Sequence, residues 1–131
     1  ARMRELDVRL GDKIVCYDQE KGGMIGAPRA VWMFKVFGAD FVWLMNGPFC
    51  KWFMEDRPIT TLDDGTGIFE QVARNPPRDE DFAFKKNEEL VFKFEDFAST
   101  QAAIIDARYK ASFMKGHIPN SISLPYTDVF N

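Results

Sequence analysis

Apolar residues change period along this chain, and each change marks an element boundary. Met3, Leu6 and Leu10 recur at helical spacing, which predicts a helix over 2–9. Gly11-Asp12 breaks that pattern, and the run Lys13-Ile14-Val15-Cys16-Tyr17 predicts a buried strand ending at Asp18. Residues 19–26 hold three glycines and no periodicity, so they read as a loop feeding a helix N-terminus. Pro28 suits that position, because the first helical turn leaves its N–H groups unpaired in any case. Val31, Phe34 and Phe37 line one side of the helix, which runs on over 30–37, and Gly38 stands where it should end. Phe41-Val42-Trp43-Leu44-Met45 is continuously apolar, the pattern of a strand covered on both faces. Asn46-Gly47-Pro48 then turns the chain into a short helix around Cys50-Lys51-Trp52-Phe53. Strand, helix, strand predicts a βαβ unit with parallel strands and a right-handed crossover.

From Pro58 to Asp81 periodicity gives way to turn signals, Asp63-Asp64-Gly65 and Pro76-Pro77 among them. Phe82-Ala83-Phe84 and Leu90-Val91-Phe92 read as short extended pieces, and 95–101 as a brief helix. Ala102-Ala103-Ile104-Ile105-Asp106 predicts a second buried strand ending in a carboxylate, followed by a helix over 109–115 that Gly116 ends. His117-Ile118-Pro119 turns the chain. Ser121-Ile122-Ser123-Leu124-Pro125 alternates as a half-exposed strand does. No internal repeat of fixed period is present.

Composition adds limits. At 131 residues, 46% hydrophobic and 28% charged, the chain has material for one compact domain or parts of two. Seventeen Lys and Arg against 20 Asp and Glu, net −3, supply no excess of positive charge for a run of phosphates, so no nucleic-acid partner is expected. Lys35, Asp40 and Lys51 interrupt the most apolar region, 30–54, so no transmembrane segment is expected. Residues 1–10 show charge without the apolar core of a secretory signal. Cys16 and Cys50 are too few for a disulfide scaffold and lack metal-ligand spacing, so both are expected as reduced thiols, with no metal. Thirteen Phe among 15% aromatics suggest an ample core or a surface held for another polypeptide.

Several of these segments carry a resemblance. Ile14-Val15-Cys16-Tyr17-Asp18, Gly26-Ala27-Pro28-Arg29-Ala30-Val31-Trp32-Met33-Phe34, Val36-Phe37-Gly38, and Leu44-Met45-Asn46-Gly47 followed by Trp52 resemble, in order and spacing, the latter half of the first domain of the two-domain thiosulfate or 3-mercaptopyruvate sulfurtransferases of the rhodanese family. Ile105-Asp106-Ala107-Arg108 and Gly116-His117-Ile118-Pro119 resemble the start of that family's second domain. The resemblance implies an α/β fold, a rhodanese-like parallel sheet flanked by helices, incomplete or composite here. Residues 1–57 would be the latter half of a first domain, 58–89 a linker and 90–131 the beginning of a second. It calls for no cofactor.

In such enzymes a persulfide-carrying Cys follows a strand of the second domain, in a loop whose N–H groups converge on it beside a helix N-terminus. The positive helix end and the oriented amides stabilise a thiolate there and make it the nucleophile. The resemblance puts that loop beyond Asn131, so this chain is expected to lack the catalytic cysteine. At the corresponding position of the first domain stands Asp18, as the family's first domain also has, and a carboxylate cannot carry sulfane sulfur; it is expected to accept N–H bonds from 19–26 and order that loop. A second departure is Ser112, where the family usually has a second substrate-holding Arg after the Arg of Asp-Ala-Arg. Its single hydroxyl replaces a forked, charged contact. The longer insertion common before Gly-His-Ile-Pro is also missing, so the pocket is expected to be lost or rebuilt.

The remaining candidates have structural readings beside the chemical ones. Cys16, inside a strand, reads as a small buried hydrophobe, and Cys50, without a general base nearby in sequence, as structural. His117, the single histidine, reads as a turn residue whose imidazole bonds to backbone. Arg108 beside Asp106 reads as an orienter of its loop, and Arg29 similarly; both stay as substrate-binding candidates, since in an active relative residues near them could line the interdomain cleft. The stripe Trp32, Phe34, Phe37, Phe41, Trp43 reads as core.

A rhodanese sheet of about five strands cannot be built from one βαβ pair, whose edges and apolar faces need covering. The cover could be further sequence, another subunit, or the chain itself, with the strands at Ile104 and Ile122 pairing beside those at Val15 and Trp43. Two functions follow. The first is a non-catalytic rhodanese-like module, a structural or accessory subunit whose partners are other protein subunits. The second is a fragment of an active sulfurtransferase acting on thiosulfate or mercaptopyruvate through a Cys outside this sequence. Family habit suggests mitochondria.

Overall fold

In the computed structural model, which describes residues 2–19, 25–61 and 75–129, strands β1 (Ile14–Cys16) and β2 (Val42–Leu44) pair in parallel, Val15 opposite Trp43. Helix α2 (Gly26–Val36) connects them, giving the expected βαβ unit. Alternation decides which side of the pair is covered: Val42 is 5% exposed, whereas Phe41 and Trp43 are 49% and 47% exposed and Val15 is 59% exposed. Ala27 and Val36 of α2, with Ala39 and Val42, form the buried core among the described residues. Small side chains there let helix and strands approach closely. Helix α3 (Phe49–Met54) follows β2.

A four-residue helix α1 (Arg2–Glu5) precedes β1. It is shorter than the helix expected over 2–9, because Asp7 turns into the left-handed region, φ 48°, and the Val8 N–H returns to the Met3 carbonyl.

The chain divides into two compact units, 1–91 and 92–131. The second repeats the strand-helix-strand plan: β3 (Ile104–Asp106) and β4 (Ser121–Ser123) pair in parallel around helix α4 (Lys110–Lys115). Ile105 lies opposite Ile122, and both are about half exposed.

Several expectations are corrected. Strands β1 and β2 form one sheet and β3 and β4 another, so the composite sheet fails; each strand pairs with the one its own crossover helix returns, the nearest partner in the chain. The stripe Trp32, Phe37, Phe41, Trp43 is exposed rather than core, and only Phe34 of that set is half-buried. Strand β2 is covered on one face, not both. The extended pieces at 82–84 and 90–92 are absent, and single 3₁₀ turns at Asp79–Phe82 and Glu88–Leu90 occupy the region. Local acceptors favour those turns: the Asp81 carboxylate receives the Arg78 N–H and the Asn87 side chain receives the Glu89 N–H. Part of the 58–89 stretch, 62–74, lies outside the described residues; its later part belongs to the first unit and hydrogen-bonds to the rest of it, Leu10 N–H to the Asp81 carbonyl and Asn87 N–H to the Val36 carbonyl.

Candidate functional site

Strand β1 ends where its backbone delivers Asp18 to the first turn of α2. One carboxylate oxygen, Oδ2, accepts the Gly26 N–H at 3.1 Å and the Ala27 N–H at 3.0 Å. These are free donors of a helix N-terminus, and a negative group there is favoured by both the hydrogen bonds and the helix dipole. The other oxygen is buried without a hydrogen-bond partner among the described residues. The Asp18 carbonyl accepts the Phe49 N–H at 2.7 Å, which fixes the start of α3 to the end of β1. Of the donors expected between 19 and 26, Gly26 is seen in this role, and 20–24 lie outside the described residues. Arg29 stands exposed in the same first turn of α2.

Neither cysteine occupies this position. Cys16 is half-buried two residues before Asp18, and burial pushes its thiol pKa up, away from the reactive thiolate. Cys50 is half-buried in α3.

In the second unit the two remaining motifs converge. Asp106 and Arg108 from the end of β3, with His117 and Ile118 after α4, line one open hollow of about 690 Å³. Arg108 is committed within it: its Nε bonds both Asp106 oxygens at 3.0 and 3.1 Å, and its Nη2 bonds Asp106 Oδ2 at 2.6 Å and the Gly116 carbonyl at 2.8 Å. The guanidinium thereby ties the strand end to the turn after α4, the loop-orienting role of the sequence reading. These bonds, with the Arg108 N–H at 3.0 Å, hold the Asp106 carboxyl pKa down at about 2. The His117 imidazole stacks on Phe113 at 3.7 Å between centroids, with Nδ1 3.0 Å from the Phe113 carbonyl, the backbone bond expected of it. Ser112 is half-buried in α4, its N–H bonded to the Tyr109 carbonyl.

Two arrangements emerge only in the structure: the Tyr109–Tyr126 pair, whose hydroxyls meet at 2.6 Å, and Arg9 at the centre of a charge cluster in the first unit. No signal in the spacing announces the tyrosines; Asp7 and Asp12 flanking Arg9 was the available sign for the second. Among the described residues no helix is long and apolar enough to cross a membrane and no group of His, Cys, Asp or Glu gathers as metal ligands.

The chain matches no protein-family model. It is 32% identical over 142 residues to the 3-mercaptopyruvate sulfurtransferase of Escherichia coli (strain K12), covering 97% of this chain and 46% of that protein. Against the 3-mercaptopyruvate sulfurtransferase of Mus musculus it is 29% identical over 134 residues, 94% of this chain and 43% of that protein. The thiosulfate sulfurtransferase of Gallus gallus is 28% identical over 127 residues, 87% of this chain and 40% of its own length. The chain spans less than half the length of these relatives.

Proposed function

Because the chain is rhodanese-like, a homologue of the 3-mercaptopyruvate and thiosulfate sulfurtransferases along nearly all its length, we propose that it serves as a non-catalytic rhodanese-like module, a structural or accessory subunit of a larger assembly. One observation carries the reading: the anion position at the N-terminus of α2 is filled by the Asp18 carboxylate, bonded to Gly26 and Ala27, and the chain's two cysteines, Cys16 and Cys50, lie elsewhere in the first unit. Sulfur transfer needs a nucleophilic thiolate held by such donors. Here the donors meet an acid that forms no persulfide, and the nearby thiol of Cys16 is shifted away from ionisation. In this reading 1–57 are the latter half of one family domain, 58–89 a connector and 90–131 the start of the next. Further protein subunits cover the apolar sheet faces.

The purified chain, mixed with thiosulfate and cyanide, is expected to release thiocyanate no faster than the uncatalysed reaction, and to transfer no sulfur from 3-mercaptopyruvate. Turnover above that background defeats the reading. The short span relative to the relatives favours a second one: part of an active sulfurtransferase whose cysteine lies outside these residues, with Arg108 and Arg29 in its substrate cleft. Turnover by a longer natural product containing this stretch, lost in its Arg108→Gln variant, would select the second reading.

A further inference from the structure

Residues 75–91 lie against the rest of the first unit through bonds spread along their length. At one end Arg9, a side chain only 16% exposed, gathers three acceptors. Its Nε bonds Asp7 Oδ1 at 2.9 Å, its Nη2 bonds Asp7 Oδ2 at 3.1 Å and the Asn75 carbonyl at 2.8 Å, and its Nη1 lies 3.6 Å from Asp81 Oδ2. The Arg9 N–H is itself held by Asp12 Oδ2 at 2.9 Å. Next along, the Leu10 N–H bonds the Asp81 carbonyl at 2.9 Å, and Arg4 bonds Asp79 at 2.9 Å while its guanidinium lies 4.7 Å over the Phe82 ring. At the far end the Asn87 N–H bonds the Val36 carbonyl at 2.6 Å, at the last residue of α2. A Cβ on Gly38, whose φ is 87°, would lie 3.2 Å from the Lys85 carbonyl oxygen, so strap and helix end approach as backbones.

We propose that residues 75–91 are a strap latched to the rest of the first unit by charge, with Arg9 as its pin. A guanidinium offers five donors in a rigid fork, and Arg9 spends that fork on both sides of the seam: Asp7 belongs to the N-terminal segment, Asn75 and Asp81 to the strap. Removing it leaves the strap held, among the described residues, by exposed pairs, which contribute little, by the contact of Arg4 with the Phe82 ring and by two backbone bonds. The strap's own turn survives without Arg9, because Asp81 also receives the Arg78 N–H at 2.9 Å. The segment is therefore expected to detach as a piece, by local opening rather than by unfolding of the unit. This inference is independent of whether the chain transfers sulfur.

Limited proteolysis by trypsin tests it, because Lys85 and Lys86 lie in the strap, Lys35 and Lys51 in α2 and α3, and Lys110 in the second unit. In Arg9→Gln, cleavage after Lys85 and Lys86 relative to Lys35, Lys51 and Lys110 is expected to rise about tenfold, the loss of charged hydrogen bonds making the open form more populated. Arg9→Lys, which keeps the charge and loses the fork, is expected to give a smaller rise. An unchanged ratio in Arg9→Gln overturns the proposal. If Arg9→Gln opens Lys35 and Lys51 as well, Asp81→Asn decides: a strap-only rise supports the latch, and an unchanged ratio or a uniform rise at every site overturns it.

Discussion

Asp106 and Arg108 show how two motif residues, separated by Ala107, set a local structure. Four hydrogen bonds from one residue reach a single carboxylate, and the same guanidinium holds the Gly116 carbonyl. The consequence for pH follows from the sign of the shift. The Asp106 carboxyl titrates at about 2 in the folded chain, below its ordinary 3.8, so its contribution to stability is complete above the unfolded value and is lost as pH falls toward 2. An NMR titration of the Asp106 carboxyl is expected to show that low midpoint, and Arg108→Gln is expected to raise it toward the ordinary range but not fully to it, because the backbone N–H of residue 108 still bonds the carboxylate. At this scale the sequence was informative about roles: an Arg beside a strand-end Asp, and a His in a Gly-Pro turn, behave as their neighbours dictate.

Helix α2 is the element that joins fold to site. Its N-terminal turn receives Asp18, its buried residues Ala27 and Val36 sit near its two ends while the helix packs on β1 and β2, and its last carbonyl receives the strap. Asp18 acts on it much as an N-cap does, although it comes from the preceding strand. Asp18→Ala is expected to lower the stability of the first unit by ~1 kcal/mol, read by urea denaturation, and Asp18→Asn by less, because the amide oxygen still accepts. The helix was legible from Pro28 and Gly38. Its buried face was less so: Trp32, Phe34 and the Phe37 that follows the helix are larger and more apolar, and only contact with the strands selects Ala27 and Val36 over Trp32 and Phe37.

Two open parallel pairs, each with an apolar row facing outward, characterise the whole molecule. Val15 and Trp43 stand opposite each other on the uncovered face of one pair, Ile105 and Ile122 on that of the other. Parallel sheets are ordinarily covered on both faces, and exposed apolar rows promote association. Light scattering on the isolated chain is expected to rise with concentration, and Trp43→Lys with Ile122→Lys to move that rise to roughly tenfold higher concentration, since each change removes an apolar side chain from the exposed rows. Scattering unaffected by the substitutions would show that these faces do not associate.

The order of strands and crossover helices, the parallel pairing within the first βαβ unit, and the absence of a sulfur carrier at Asp18 were determined by the sequence alone, because periodicity, turn residues and side-chain chemistry are local properties. Tertiary structure decided which aromatics stay outside, that the two pairs remain separate sheets, and that 75–91 belong to the first unit. Those outcomes depend on long-range competition: the same apolar residue is core or surface according to what packs on it, and Arg9 meets Asn75 and Asp81 only after the chain has folded back.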